Sequence, residues 1–373
     1  NINFKDHFNI KDDDLIGDSA GSNIYLGGSG MNSGLYNYIN YNNIEQFKTT
    51  QIDNFIDHRF NTFVYKYDNN LDNGSGQTEY TYNIPESSLF QKMDILMVGG
   101  GGSGAVGPTA GGGAGGLVYV HNAIISAGNY NIKVGKGAIG TNGTSGSYRS
   151  GFKGKDTLFD DIIALGGGGG FARYTGGTYI NGGSGGGGFS EYYGGRNYPG
   201  ISLQHQENQN SIYNIYQYGH NGMSSVGMTG GGGGAGGIGY LQGIHPHRDV
   251  MGGIGLSEIS ELNIDLKEHF EIKDVNIGHH INENNIDKVY FASGGSGSLR
   301  SIFNTDYTVG QKGGGGGSAP YTLNINDYPE IYDALPNTGG GGGGTANTNP
   351  RGGGNGGSGI VIIKVYKNLL SSY

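Results

Sequence analysis

Apolar positions in this chain fall into short, strand-length runs, and most of those runs lead straight into or out of glycine. Residues 63–67 (Phe-Val-Tyr-Lys-Tyr) and 79–84 (Glu-Tyr-Thr-Tyr-Asn-Ile) alternate polar with apolar, and Asn73-Gly74 between them supplies a turn. Residues 95–98 are continuously apolar and enter the first glycine block, and 117–120 leave the second in the same way. Residues 130–134 alternate again after a Gly128-Asn129 turn. Residues 162–165 enter 166–170, and 360–366 (Ile-Val-Ile-Ile-Lys-Val-Tyr) leave the last block. The pattern predicts a mainly β fold with little or no α-helix. Three stretches break it: 201–220, 239–290 and 319–337 are richer in Gln, His, Glu and Tyr and are expected to project as long irregular loops. Leu256, Ile259, Leu262 and Leu266 stand at near-helical spacing and predict a short helix inside the second.

Glycine changes this picture most, since 80 of 373 residues are Gly and most lie in nine blocks. These cover 99–104, 111–116, 166–170, 182–188, 230–237, 294–297, 313–317, 339–344 and 352–359. Such runs are usually linkers, because glycine loses the most backbone entropy on ordering. A strand that repeatedly enters or leaves a glycine run is instead a unit of architecture. An ordered, extended glycine run suits the left-handed three-residue-per-turn helix, whose outward N–H and C=O groups bond neighbours that lack a Cβ. The expectation is β-strands combined with a bundle of polyglycine II helices; irregular ordered loops on a β-core are the alternative. Collagen is excluded by the absence of a strict Gly-X-Y repeat and by only 8 Pro. Residues 53–373 are read as this domain, and 1–52, with Tyr36, Tyr38 and Tyr41, as an arm that docks on a partner or lies on the domain as a surface strand.

Net charge is −9, from 22 basic and 31 acidic residues, which argues against a nucleic-acid footprint. Zero Cys removes disulfides and thiolate chemistry. No apolar stretch reaches membrane-span length. A start at Asn1 rather than Met is consistent with removal of an upstream segment.

Candidate chemistry is sparse. Gly99, Gly101 and Gly104 satisfy a dinucleotide fingerprint on paper, but Pro108 follows and no acid occurs between Asp94 and Asp156. No cofactor is expected. His245 and His247, beside Arg248 and Asp249 and with His279 and His280 downstream, are metal candidates; solvated loop histidines are the plainer reading. Tyrosines carry more weight as partner or receptor contacts: Tyr192, Tyr193, Tyr198, Tyr213, Tyr216 and Tyr218, with His220 and Arg248. Capping of a bundle poor in side chains is their structural alternative.

Residues 93–104 (Met-Asp-Ile-Leu-Met-Val-Gly-Gly-Gly-Gly-Ser-Gly) followed by 111–120 (Gly-Gly-Gly-Ala-Gly-Gly-Leu-Val-Tyr-Val) resemble the opening of the glycine-rich domain of phage tail fibres and adhesins. Residues 127–137, 154–159 and the closing 356–366 (Gly-Gly-Ser-Gly-Ile-Val-Ile-Ile-Lys-Val-Tyr) follow in the same order, so the resemblance spans about 55–366. It implies polyglycine II layers with strands at their ends and recognition through loops at one tip. The expectation is a non-enzymatic virion structural or surface protein, capsid-associated or a fibre component, with host attachment through exposed loops. A dedicated receptor-binding adhesin and a non-viral extracellular matrix or filament protein at the cell surface are the alternatives. Expected partners are other virion proteins, copies of itself, or a host glycan or protein.

Overall fold

Burial of both faces of the central strands decides the first layer. The computed structural model describes residues 2–3, 25–26, 56–88, 90–107, 109–141, 149–172, 179–188, 199–208, 211–224, 229–242, 249–298, 333–345 and 352–368. Within residues 1–52, expected to form an arm, it describes only the short pair β1 (Ile2–Asn3) and β2 (Tyr25–Leu26); the rest lies outside the described residues. Then come β3 (Ile56–Lys66), β4 (Gln77–Ile84), β5 (Phe90–Val98), β6 (Leu117–Ser126), β7 (Gly128–Gly135), β8 (Thr157–Phe159) and β9 (Ile162–Ala164). After β10 (Asn214–Tyr218) and the hairpin β11 (Tyr240–Gln242) with β12 (Asp249–Met251), the chain forms β13 (Glu258–Ile259), β14 (Ile264–Asp265) and a one-turn helix α1 (Leu266–His269). The hairpin β15 (His279–Glu283) with β16 (Ile286–Tyr290) precedes the last strand, β17 (Ile360–Asn368).

Two antiparallel sheets result, β10-β6-β5-β17-β3 and β4-β7-β8-β9. Met93, Ile95, Met97, Val118, Val120, Val361 and Ile363 of the first meet Tyr82, Ile84, Ile132, Val134, Phe159 and Ile162 of the second. The opposite face of the first sheet is apolar too: Leu96, Val98, Leu117, Tyr119, Ile360 and Ile362 pack against Ile259, Leu266, Phe270, Ile272, Ile277, Val289 and Phe291. Both faces are covered, which explains the unbroken apolar run at 95–98.

The stretch 239–290 is therefore no projecting loop where it is described, because 249–292 is the cover of that second face. Its helix is also shorter than the spacing predicted. Asn263, at φ 52, ends a 3-10 turn at Ser260–Leu262, so Leu256, Ile259 and Leu262 belong to a bend and the β13–β14 hairpin. Asp265 then caps the single turn of α1 by accepting the Glu268 N–H. Likewise 201–220 is drawn inward, since β10 pairs with β6 and Gln204 is fully buried.

Strands continue into glycine without a break, at Val98, Gly135 and Ala164, and glycine continues into strand at Leu117 and Ile360. The 110–116 rod shows how the runs are held. Ala110, Gly113 and Gly116 donate to the carbonyls of Phe171, Gly168 and Leu165, Gly111 and Ala114 to Gly230 and Gly233, and Gly112 and Gly115 to Gly342 and Gly339. Its own carbonyls accept from three further rods, through Ser184 and Gly187, through Gly99, Gly102 and Ala105, and through Gly295. Partners recur every third residue, the repeat that a threefold extended helix requires. The six surrounding rods also bond one to the next in a closed ring, Gly167 to Gly100, Gly168 to Ser184, Gly233 to Gly185, Gly232 to Gly295, Gly341 to Ser293 and Gly342 to Gly102.

Glycine is required in these rods for the Cβ it lacks. Among the described rod glycines only Gly339 and Gly352 have positive φ. A Cβ built on Gly101, Gly112 or Gly232 would overlap the backbone carbonyl of Gly340, Gly102 or Gly112 respectively. Where a side chain does enter, it is small and substitutes for a backbone partner. Ser103 Oγ accepts the Phe152 N–H, Ser298 Oγ the Thr109 N–H, and Thr109 Oγ1 donates to Ala105.

Candidate functional site

Two places concentrate polar groups or chain ends. The first is the interface between the five-stranded sheet and its 249–292 cover, where Asp94 is wholly buried. A bulge at Asp94 breaks the β5–β6 register, and Asn122, at φ 52, turns its N–H onto the carboxylate. His269 Nε2 of α1 and the Tyr366 hydroxyl of β17 each reach Oδ2 at 2.8 Å, and His121 Nδ1 stands 3.5 Å from Oδ1. The Tyr119 hydroxyl lies between the imidazoles, 3.2 Å from His121 Nδ1 and 3.3 Å from His269 Nε2. A carboxylate only accepts, so His269 carries its proton on Nε2.

Burial alone pushes the Asp94 carboxyl up, but hydrogen bonds from His121, His269, the Asn122 backbone and Tyr366 outweigh it and hold the group well below the ordinary carboxylate range. Burial first, then the Asp94 charge, pushes the Tyr119 hydroxyl far up. Lys364 lies directly across the ladder from Asp94, yet its ammonium sits over the Phe60 ring at 4.0 Å, and burial lowers its pKa. With its oxygens taken by fixed donors, Asp94 has no free lone pair for a substrate proton. The cluster fastens the cover to the sheet, together with Lys66–Asp274 at 2.8 Å and Tyr218–Glu261 at 2.7 Å. Among the described residues no group of three or more His, Asp or Glu is placed to hold a metal ion.

The second place is the end of the rods remote from the sheets. Each rod has a sheet-side end, such as Gly99, Gly116 or Leu165, and a far end, such as Ala105, Ala110 or Phe171. The far ends are tied by Val106 bridging Arg149 and Thr345, Thr109 bridging Ala172, and Ser298 bonding Thr109. The described residues flanking 142–148, 173–178, 189–198, 225–228, 243–248 and 346–351 all stand at this pole, and 299–332 departs from it at Ser298.

Of the tyrosines and histidines singled out in the sequence, Tyr213, Tyr216, Tyr218, His220, His279 and His280 are placed, each half-exposed, and His280 Nδ1 stands 3.2 Å from Asp287 Oδ2. Tyr213 packs on the sandwich core, and Tyr216 and Tyr218 pack on the covered face. His220 Nδ1 donates to the Gly234 carbonyl at 3.0 Å, beside the rods. Tyr192, Tyr193, Tyr198, His245, His247 and Arg248 lie outside the described residues, in segments whose ends are at the pole. The Asp94 cluster escaped sequence reasoning. Its one legible signal is a charge, Asp94, set inside the otherwise apolar run 93–98.

A family model described as a glycine-rich domain matches residues 74–366. No curated protein matches the chain.

Proposed function

Because the chain belongs to the glycine-rich domain family, we propose that it is a non-enzymatic structural protein of a virion surface, capsid-associated or part of a fibre, which attaches to its host through the pole of its rods. The observation that carries this reading is the gathering, at one end of a close-packed core, of the described residues that flank the connecting segments. Binding residues are commonly carried on loops held by a rigid scaffold. Two of those segments contain Tyr192, Tyr193, Tyr198, His245, His247 and Arg248, a set of flat aromatic faces and donors suited to a glycan or a protein surface. The likeness of 93–120 and 356–366 to tail-fibre and adhesin domains supports the same reading. Tyr213, Tyr216 and Tyr218 are assigned to packing, which leaves recognition to the pole.

Replacement of 189–198 and of 243–248 by Gly-Ser segments of equal length tests this. The expected result is loss of binding to host cells or arrayed glycans with an unchanged near-UV circular dichroism spectrum. Undiminished binding of a folded double replacement sinks the attachment role.

A further inference from the structure

An asparagine followed by glycine exposes its side-chain amide to attack by its own backbone, because glycine leaves the next nitrogen unhindered and free to turn. Four such steps lie among the described residues: Asn73-Gly74, Asn181-Gly182, Asn221-Gly222 and Asn355-Gly356. The fold treats them unequally. In the last three both reacting groups are committed to the rods. Gly182, Gly222 and Gly356 donate their N–H groups to the carbonyls of Ile201, Gly200 and Ala138. The side-chain amides face other segments as well, since Asn181 Oδ1 accepts from Ile201, Asn221 Oδ1 from Ser202 and Asn355 Oδ1 from Gly140. Each amide is thus held away from its own glycine nitrogen.

Asn73-Gly74 stands in the turn between β3 and β4, outside the rods, with Asn73, Gly74 and Ser75 all exposed. Here the amide is folded onto its own backbone, its Oδ1 accepting the Ser75 N–H at 3.2 Å. The Gly74 N–H meets no carbonyl but a carboxylate, donating to Asp72 Oδ1 at 2.9 Å. That oxygen also accepts the Gly76 N–H at 3.0 Å, and the Tyr67 hydroxyl donates to Oδ2 at 2.7 Å, so the carboxylate is fixed in place. A nucleophile has a base within hydrogen-bond reach, and the oxygen of its electrophile already has a donor. Those are the elements of acyl transfer.

We propose that Asn73 is a site of self-modification, where the Gly74 nitrogen closes onto the Asn73 side chain and turns it into aspartate and isoaspartate. Asp72 takes the Gly74 amide proton as that nitrogen bonds Asn73 Cγ, and the Ser75 N–H holds the charge that develops on Oδ1. The Cγ–Nδ2 bond then breaks, and the proton parked on Asp72 leaves with Nδ2 as ammonia. Water opens the resulting cyclic imide. Opening at Cγ gives aspartate, and opening at the Asn73 main-chain carbonyl gives isoaspartate, with the backbone running through the side chain. The product adds a negative charge beside Asp68 and Asp72. It also lengthens, in the isomer, a turn that is tied to the first rod residue after β7 by the Lys136 N–H on the Gly76 carbonyl. The step is irreversible, so it marks the age of each molecule. It stands independently of the attachment role.

Incubation of the full-length protein in neutral buffer, followed by peptide mapping, reads the change directly. Mass spectrometry detects the amide-to-acid gain at each Asn-Gly step, and methylation by an isoaspartate methyltransferase detects the isomer. Asn73 is expected to convert while Asn181, Asn221 and Asn355 stay intact in the folded protein, and the four rates should converge in urea. Asp72→Asn keeps an acceptor for the Gly74 and Gly76 N–H groups but removes the base, and should slow conversion at Asn73 by about 100-fold. Conversion of Asn73 no faster than that of the three rod asparagines in the folded wild type overturns the proposal. So does an Asp72→Asn variant that converts at the wild-type rate.

Discussion

The sandwich and the rod bundle are continuous along the chain yet are held by opposite means. In the sandwich, side chains such as Met97, Ile132, Phe159 and Ile363 interdigitate, and each contributes roughly 1.5–3 kcal/mol by leaving water. In the bundle no such side chain is present at the centre, and backbone bonds between rods take that place. A hydrogen bond nets about 0.5–1.5 kcal/mol, while ordering a residue costs about 1–2 kcal/mol. A single rod therefore does not hold itself. Six rods closed in a ring around a seventh hold because each ring rod satisfies groups on two neighbours and on the centre, and because strands anchor their ends. Tolerance of volume change should thus be reversed between the two regions. A side-chain core can lose or shift a methyl group, whereas a backbone core has no rotamer with which to yield.

The largest expected effect is Gly112→Ala, in which one methyl meets the Gly102 carbonyl at the bundle centre. Overpacking a side-chain core costs about 1–3 kcal/mol; here the colliding atoms are backbone on every side, and loss of the cooperative unfolding transition is expected. A Gly112→Ala protein that melts near the wild type would break the comparison. Next comes Asp94→Asn, which leaves donors facing a donor and should cost about 3–5 kcal/mol. Its pH dependence has a definite sign. The folded Asp94 pKa lies below the ordinary 3.8, so its contribution is complete above that value and is lost as pH falls through and below it. Acid titration of stability should be shallower in Asp94→Asn than in the wild type, and identical curves would exclude Asp94 as the lock.

Ile363→Val removes one methyl group from the sandwich core and should cost about 0.5–1.5 kcal/mol in urea denaturation. The smallest effect has the opposite sign. A Cβ at Gly237 meets only Ile254 Cγ1, at 3.6 Å, and its φ is not positive. Gly237→Ala should therefore stabilise by about 0.4–1 kcal/mol through the unfolded chain. If Gly112→Ala and Gly237→Ala behave alike, position in the lattice is irrelevant and the backbone-core account fails.

Much of this is legible in the sequence. Apolar runs at 95–98, 117–120 and 360–366 became the central strands, and their continuity with glycine marked where strand passes into rod. The stretches 201–220 and 239–290 read as loops because their apolar residues are scattered, yet where described they pair with or cover the five-stranded sheet. Tyr216, Phe270 and Phe291 converge only when the sheet's second face is there to receive them. A short helix does lie within 239–290, at Leu266–His269, while Asn263 in the left-handed region folds the apolar spacing before it into a 3-10 turn and a hairpin.

The sequence by itself determined that the chain alternates strand with glycine, that it lacks cysteine, and that its glycine runs must pack without side chains. Those are local properties, set by residue type and period. Tertiary structure alone decided which rod stands at the centre and that the described residues flanking the connecting segments stand at one pole. It alone also decided that His121, His269, Tyr119 and Tyr366 converge on Asp94. A glycine run carries no side-chain pattern to name its neighbour, so its place is settled only when every N–H has found its carbonyl.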